Sequence, residues 1–283
     1  SSSDCTVVYI GTYSGVYRSQ DSGNTWVQTN TGLETGDISC LAVAPESDLV
    51  YVGSWGKGVF KSTNGGDSWT SVWSSEKNPH INAVQIASDY TVWVATEHGL
   101  FRSQNDGLTW EHVFEYGKVR TVAVAPAKTQ TIYLGVRWHG NFRSDDGGET
   151  WQEINTGVYT DGQEFAAAND VVFDPQNSQH IIMSTGWIDL YESFDGGDSW
   201  QRVADNLREK SVLALDIAHT FQEIWAATDS DGVFVSRDNS NNWIAKNSGI
   251  ENVKVKSLSV AKEGAVVFVG TLGKGVYKYV VKK

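Results

Sequence analysis

A few aromatic side chains in this 283-residue chain recur at one kind of short turn, and they are the residues best placed to do chemistry. Tyr13 stands in residues 12–15 (TYSG), Trp55 in 54–57 (SWGK), Trp138 in 136–140 (VRWHG) and Trp187 in 185–189 (TGWID). His98 fills the matching place in 96–99 (TEHG), and Arg137 and His139 flank Trp138. Flat rings with charged and amide edges beside them suit a sugar, whose ring faces stack while its hydroxyls meet the polar edges. The same rings could plug a channel mouth or meet a protein partner. Four carboxylates belong to the same set of loops: Asp161 and Glu164 in the long connection 155–169, Asp189, and Asp229. Two carboxyls roughly 5 to 9 Å apart would be the pair that glycoside hydrolysis needs. A solvated loop carboxylate is the plainer reading of each, so no catalytic residue is assigned.

What positions these turns is a repeat. Ser19-Gln20-Asp21-Ser22-Gly23-Asn24-Thr25-Trp26 returns in residues 62–69, 103–110, 144–151, 193–200 and 236–243, ending at Trp69, Trp110, Trp151, Trp200 and Trp243. The tryptophans are 43, 41, 41, 49 and 43 residues apart, a period that signals a stack of small sheets. The acidic or amide position reads Asp21, Asn64, Asn105, Asp146, Asp195 and Asp238. A short Asp or Asn accepts amide hydrogen bonds within its own turn, glycine permits positive φ, and the hydroxyls satisfy further backbone groups. The turn is therefore structural, and the tryptophan that follows it is expected to wedge between neighbouring sheets. Asn64, Asn105 and the sixth copy, with Ser240 and Asn242, predict looser turns.

Two alternating apolar runs precede each turn and one follows it, and a further run ends near a proline or small residue, as in 38–45, 119–126 and 170–175. Period-2 runs bounded by Gly, Asn and Asp are strands, so each period holds four, A to D. A final hairpin over residues 266–279 has no turn of this kind after it. With the six others it makes seven units, the first without strand A and the last without strand D. The reading is an all-β, seven-bladed β-propeller of four-stranded antiparallel blades, a single domain over 1–283, with six blades plus an appendage as the alternative. In such a meander the B–C and D–A turns share one edge and the A–B and C–D turns the other. The aromatic turns are B–C turns and thus lie opposite the repeated ones.

The repeat also separates structural aromatics from the rest. Trp93 and Trp225 share a strand-B position with Tyr9, Tyr51, Tyr133 and Phe268, and Arg18, Arg102 and Arg143 share a strand-C position with Lys61. Both sets belong to the scaffold. The net charge of −12, with lysines and arginines scattered, opposes binding to a phosphate backbone, so nucleic acid is not expected as a partner. No 18-residue apolar stretch offers a membrane span. Residues 1–5 (SSSDC) read as a mature or trimmed start, and no signal segment is visible. Two cysteines do not make a cysteine zinc site; Cys5 and Cys40 are read equally well as a disulfide or as two buried thiols. No metal and no cofactor are assigned.

The six turns, with residues 58–69 (GVFKSTNGGDSW) and 170–175 (DVVFDP), resemble the Asp-box or BNR repeat proteins over nearly the whole chain. That superfamily includes sialidases, xyloglucan-degrading endoglucanases, sortilin-type receptors and photosystem II assembly factors. The resemblance implies a propeller and an extracellular or periplasmic setting. Sialidases need three substrate-gripping arginines, whereas here only Arg120 and Arg137 stand outside the scaffold position on the relevant edge, and no Arg-Ile-Pro signature is present. The endoglucanases place their cleft between two propellers, and this chain supplies one. The expectation is therefore a non-catalytic propeller that binds a glycan or a protein partner on the B–C edge. A glycan is the first reading; a glycoside hydrolase and an assembly scaffold are the alternatives.

Overall fold

The second period folds as its alternation requires. Strand A is Ile38–Val43, strand B Val50–Ser54, strand C Gly58–Ser62 and strand D Thr70–Trp73, hydrogen-bonded antiparallel in that order. Strand B is buried at every position, whereas strand D has exposed residues, the pattern of a sheet covered on both faces and open at its outer edge. The computed structural model describes residues 7–34, 36–45, 47–74, 80–185, 189–203, 207, 210–218, 223–250, 253–261 and 266–281. Among them are five four-stranded sheets, a three-stranded first sheet (Val8–Thr12, Gly15–Ser19, Val27–Gln28) and a three-stranded last sheet (Val255–Val260, Val266–Thr271, Gly275–Val280). These are the seven blades of an all-β propeller, and the six-blade alternative falls away. As expected, strand A is missing from the first described sheet and strand D from the last. Cys5 and the residues before it lie outside the described residues, and with them the question of pairing to Cys40.

The chain divides into two compact units, residues 1–132 with 144–150, and residues 133–143 with 151–283. In the first, Val16, Ile38, Val50, Val52, Phe60 and Trp69 form the core between blades 1 and 2, and Tyr51, Val59, Ile81, Val84 and Val94 that between blades 2 and 3. In the second, Leu190, Val212, Leu215, Ile224, Phe234 and Trp243 fill the space between blades 5 and 6. Packing is close enough to dictate residue size: a Cβ on Gly53 would come within 2.4 Å of the Ile81 side chain on the next blade. Trp93, Trp225 and Tyr51 are fully buried, which confirms the strand-B position as core.

Each repeated turn is a closed hydrogen-bond loop. Ser19 donates to the Asp21 carboxylate at 2.8 Å and accepts from the Gly23 amide at 2.7 Å; Asp21 in turn accepts from the Thr25 amide at 2.8 Å and its hydroxyl at 2.6 Å. Asp146 and Asp195 repeat the pattern, and the Thr or Ser hydroxyl that follows holds each of these carboxyls down at about 2. The expected loosening at Asn64 and Asn105 does not occur. Their amide oxygens accept the Ser68 and Thr109 amides at 3.0 and 2.9 Å, and their NH2 groups donate to the same residues' hydroxyls. An amide replaces a carboxylate here at no cost in partners, because one hydroxyl can either donate or accept. The sixth turn does differ: Ser240 takes a left-handed φ of 64°, and its amide stands 3.1 Å from the Ser236 hydroxyl.

The tryptophans wedge as expected. The indole N–H of Trp69 donates to the Thr29 carbonyl at 2.7 Å, that of Trp110 to Val72 at 3.1 Å and that of Trp200 to Ile154 at 2.8 Å, each on the preceding blade. The indole N–H of Trp243 donates to the Ser240 carbonyl of its own turn at 3.2 Å. The strand-C cations complete the seams. Arg18 donates to the Gly65 carbonyl and pairs with Asp67 at 2.7 Å, Lys61 donates to the Asp106 carbonyl at 3.2 Å, and Arg102 donates to Gly147 and pairs with Glu149 at 3.0 Å. In the second unit Arg143 donates to Gly196 and pairs with Asp198 at 2.8 Å. Tyr9 and Tyr133 hydroxyls donate to the same two glycine carbonyls, Gly65 and Gly196, at 2.8 Å.

Candidate functional site

Hydrogen bonds close the bases of the B–C turns. The hydroxyls of Thr12, Ser54 and Thr96 donate across the turn to the carbonyls of Gly15, Gly58 and Gly99, and those of Thr185, Thr228 and Thr271 to Asp189, Gly232 and Gly275. Blade 4 has Val136 in this place and no hydroxyl to offer. There the His139 amide closes onto the Val136 carbonyl at 2.9 Å, and Trp138 adopts a φ of 68°. A left-handed tryptophan is a strained residue held by its surroundings, and such outliers concentrate at functional positions.

In the first unit the tips are open. Tyr13 is 77% exposed and Trp55 55% exposed. The Trp55 ring leans on His80 with centroids 4.2 Å apart and an angle of 46°, and the two residues also form an isolated β-bridge. His98 is exposed, and its carbonyl lies 3.0 Å from the His112 ring. His80 was not among the residues singled out from sequence, yet it ends a D–A connection, and those connections share the edge with the B–C turns.

In the second unit Trp138 is 45% exposed and the Arg137 guanidinium lies over its ring, 4.5 Å from the centroid. His139 bridges to Phe165 in the long D–A connection, which is itself folded: Thr160 pairs with Phe165, and the Tyr159 amide donates to the Tyr191 hydroxyl at 3.1 Å. Trp187 lies outside the described residues. The four carboxylates divide clearly. Asp161 accepts the amides of Glu164 and Gln163, which hold its carboxyl below the usual range, and Glu164 is half-buried beside it. Asp189 is buried and paired with Arg202, whose Nε stands 2.7 Å away. Asp229 meets Lys256 at 3.1 Å and Lys254 at 3.7 Å, and Lys256 above all keeps its carboxyl low. Arg202, Lys254 and Lys256 were legible only as scattered cations, because their partners come from other strands.

Three of the four acidic candidates are thus tied to amides or cations, whereas glycoside hydrolysis needs one carboxyl held protonated. The carboxyl that burial pushes up, to about 7, is Asp170 on an inner strand, where it accepts the Leu215 and Val171 amides at 2.9 Å. No group of His, Cys, Asp and Glu among the described residues is placed to hold a metal ion, and no helix among them is long and apolar enough to cross a membrane.

Seven antiparallel blades with six turns of the hydroxyl–Asp/Asn–Gly type, the sixth with Ser240 in place of glycine, define an Asp-box β-propeller. Within that class, the model of the family described as photosynthesis system II assembly factor YCF48 matches residues 4–273, and the chain belongs to this family. No curated protein matches the sequence. Among solved structures, YCF48 bound to a D1 peptide is similar at 15% identity with a TM-score of 0.76, over 99% of this chain and 91% of that one. YCF48 from Cyanidioschyzon merolae is similar at 14% identity with a TM-score of 0.74, over 99% and 93%. An ancestral GH74 enzyme matches at 21% identity and a TM-score of 0.74, over 88% of this chain but 36% of its own, so this chain spans about a third of that enzyme's length. At these identities the likeness is one of fold.

Proposed function

We propose that this chain is a non-catalytic assembly propeller that docks a polypeptide segment on its B–C edge. The observation that carries the reading is that Asp161, Asp189 and Asp229 are engaged by local amides and cations while Tyr13, Trp55 and Trp138 are 77%, 55% and 45% exposed. An edge of that kind offers apolar ring faces and paired charges, which suits a peptide's mixture of side chains and backbone. Membership of the YCF48 family and the likeness over nearly the full chain to a YCF48 with bound D1 peptide support it. The test is a pull-down from the native host with wild type, Trp55→Ala and Trp138→Ala. The expected result is one polypeptide at stoichiometric yield with wild type and at least tenfold less with either variant; equal retention by all three contradicts the reading. The open rings of Trp55 and Trp138 also favour a second reading, stacking on a glycan, which predicts saturable binding of a soluble oligosaccharide lost in the same variants.

A further inference from the structure

Blade 5, in the second unit, buries an imidazole between two acids that the function proposed above does not use. His180 is 5% exposed and lies in strand B, Asn177–Thr185. Its Nδ1 is 3.1 Å from the Asp174 carboxylate on strand A, and its Nε2 is 3.6 Å from Glu192 Oε2 on strand C. The Phe194 ring lies against it, with centroids 4.5 Å apart and 10° between the planes. All four residues depart together from what the other blades carry. Asp174 stands where Ala44, Ala87, Ala125, Ala218 and Ala261 stand, and His180 where Leu49, Thr91, Thr131 and Glu223 stand. Glu192 takes the place of Lys61 or of Val235, and Phe194 that of Thr63 or Arg237. Four coordinated departures in one blade mark a device rather than drift in the repeat.

Each acid keeps one oxygen for the ring. Asp174 Oδ1 accepts the Gln176 amide at 2.8 Å, and Glu192 Oε1 accepts from Gln201 Nε2 at 3.3 Å. With a single proton on Nδ1, His180 donates to Asp174 and turns a lone pair toward Glu192 Oε2. At 3.6 Å that contact is no hydrogen bond, and Nε2 and Oε2 are both buried without a partner. A second proton turns the same contact into a donor facing an anion, and each carboxylate then holds one charge-assisted bond. Glu192 first, and Asp174 with it, raise the imidazole above its ordinary range, while burial opposes them. Of the remaining elements around the ring, the repeated turn brings Asp195, whose carboxylate is committed to Ser193 and Ser199. Blade 6 brings the uncharged Ile217, Ile224 and Asn239, across a cavity of about 20 Å³.

We propose that His180 is a proton-operated clasp on blade 5: doubly protonated, it ties the A–B turn at Asp174 to strand C at Glu192, and on losing a proton it releases the Glu192 arm and loosens the turn that carries Phe194. The adjoining cavity has room for one water to take up the freed groups. The partners lift the folded-state value above the unfolded one, so the clasp contributes fully below the unfolded value and its contribution is lost as pH rises through the folded one. The device sits at the edge of the repeated turns and does not depend on what the B–C edge binds.

The test is a pH titration of the 15N-labelled full chain by NMR, following the His180 ring nitrogens and, at the same pH values, amide exchange in the repeated turns. Blade 4 supplies an internal control. The amides of Gly196 and Gly197 bond to the Gln179 carbonyl and the Ser193 hydroxyl, as those of Gly147 and Gly148 bond to Gln130 and Ser144 without an imidazole beside them. The expected result is a His180 midpoint above that of Nα-acetyl-histidine methylamide, with protection of Gly196 and Gly197 relative to Gly147 and Gly148 falling at least threefold across it. In Glu192→Gln the midpoint should move down and the loss of protection move with it; in His180→Gln the relative protection should not change with pH. A midpoint at or below that of the free derivative overturns the proposal, as does relative protection that is flat in wild type or equally pH-dependent in His180→Gln. If His180→Gln does not fold, Glu192→Gln decides: a loss of protection that stays at the wild-type pH while the His180 midpoint moves overturns the clasp.

Discussion

The two edges of a blade use similar residue types for opposite ends. At the edge of the repeated turns, Asp146 spends its carboxylate on the Thr150 amide and hydroxyl and on the Ser144 hydroxyl, and Trp200 spends its indole N–H on the blade before it. At the B–C edge, the turn is closed by a hydroxyl or a backbone amide, and the tip residue is left over: Trp55 and Trp138 present ring faces to solvent. A tryptophan inside the repeat therefore holds the fold, whereas Trp55 and Trp138, at a position the repeat leaves variable, keep about half of their surface exposed.

The comparison breaks if the two kinds of tryptophan respond alike to truncation. Trp200→Ala, which removes a buried indole and its hydrogen bond, should cost about 3–5 kcal/mol in denaturant unfolding. Trp55→Ala, at a half-exposed tip, should cost under about 1 kcal/mol while abolishing partner retention. A variant pair with the opposite ranking would remove the distinction. Next in size, Asp146→Ala should lower the thermal midpoint measurably and leave partner retention unchanged, since its bonds lie within its own turn.

Acid dependence sharpens the same contrast through its sign. The turn carboxylates Asp21, Asp146 and Asp195 sit at about 2, below their unfolded value, so the stability they contribute is present above roughly pH 4 and is lost as pH falls toward 2. Asp170 runs the other way. Burial raises it to about 7, so its contribution is full below roughly pH 4 and is lost as pH rises to 7. Unfolding midpoints at pH 4.5, 6 and 8 should therefore decline less steeply in Asp170→Asn than in wild type. An unchanged slope would show that Asp170 does not titrate in that window.

The fold was legible because the repeated turn is local. Every partner of Asp21 lies within four residues of it, so residue type and spacing are enough to infer the loop, and its six copies with the final hairpin set the blade count. The same locality hid one compensation: spacing alone made Asn64 and Asn105 look weaker, when the neighbouring hydroxyl reverses its role and keeps both bonds. The candidate edge was half legible. Tyr13, Trp55 and Trp138 could be placed by topology, but His80 against Trp55, Arg202 against Asp189 and Lys256 against Asp229 are contacts between strands that spacing does not encode.

The most direct measurement is tryptophan fluorescence of the full chain, titrated in parallel with soluble polypeptide fragments from the native host and with a panel of oligosaccharides, reducing ends being assayed in the same tubes. The account predicts a saturable shift with a polypeptide, lost in Trp55→Ala or Trp138→Ala, and no new reducing ends. A shift with an oligosaccharide alone, with or without reducing-end release, would contradict it.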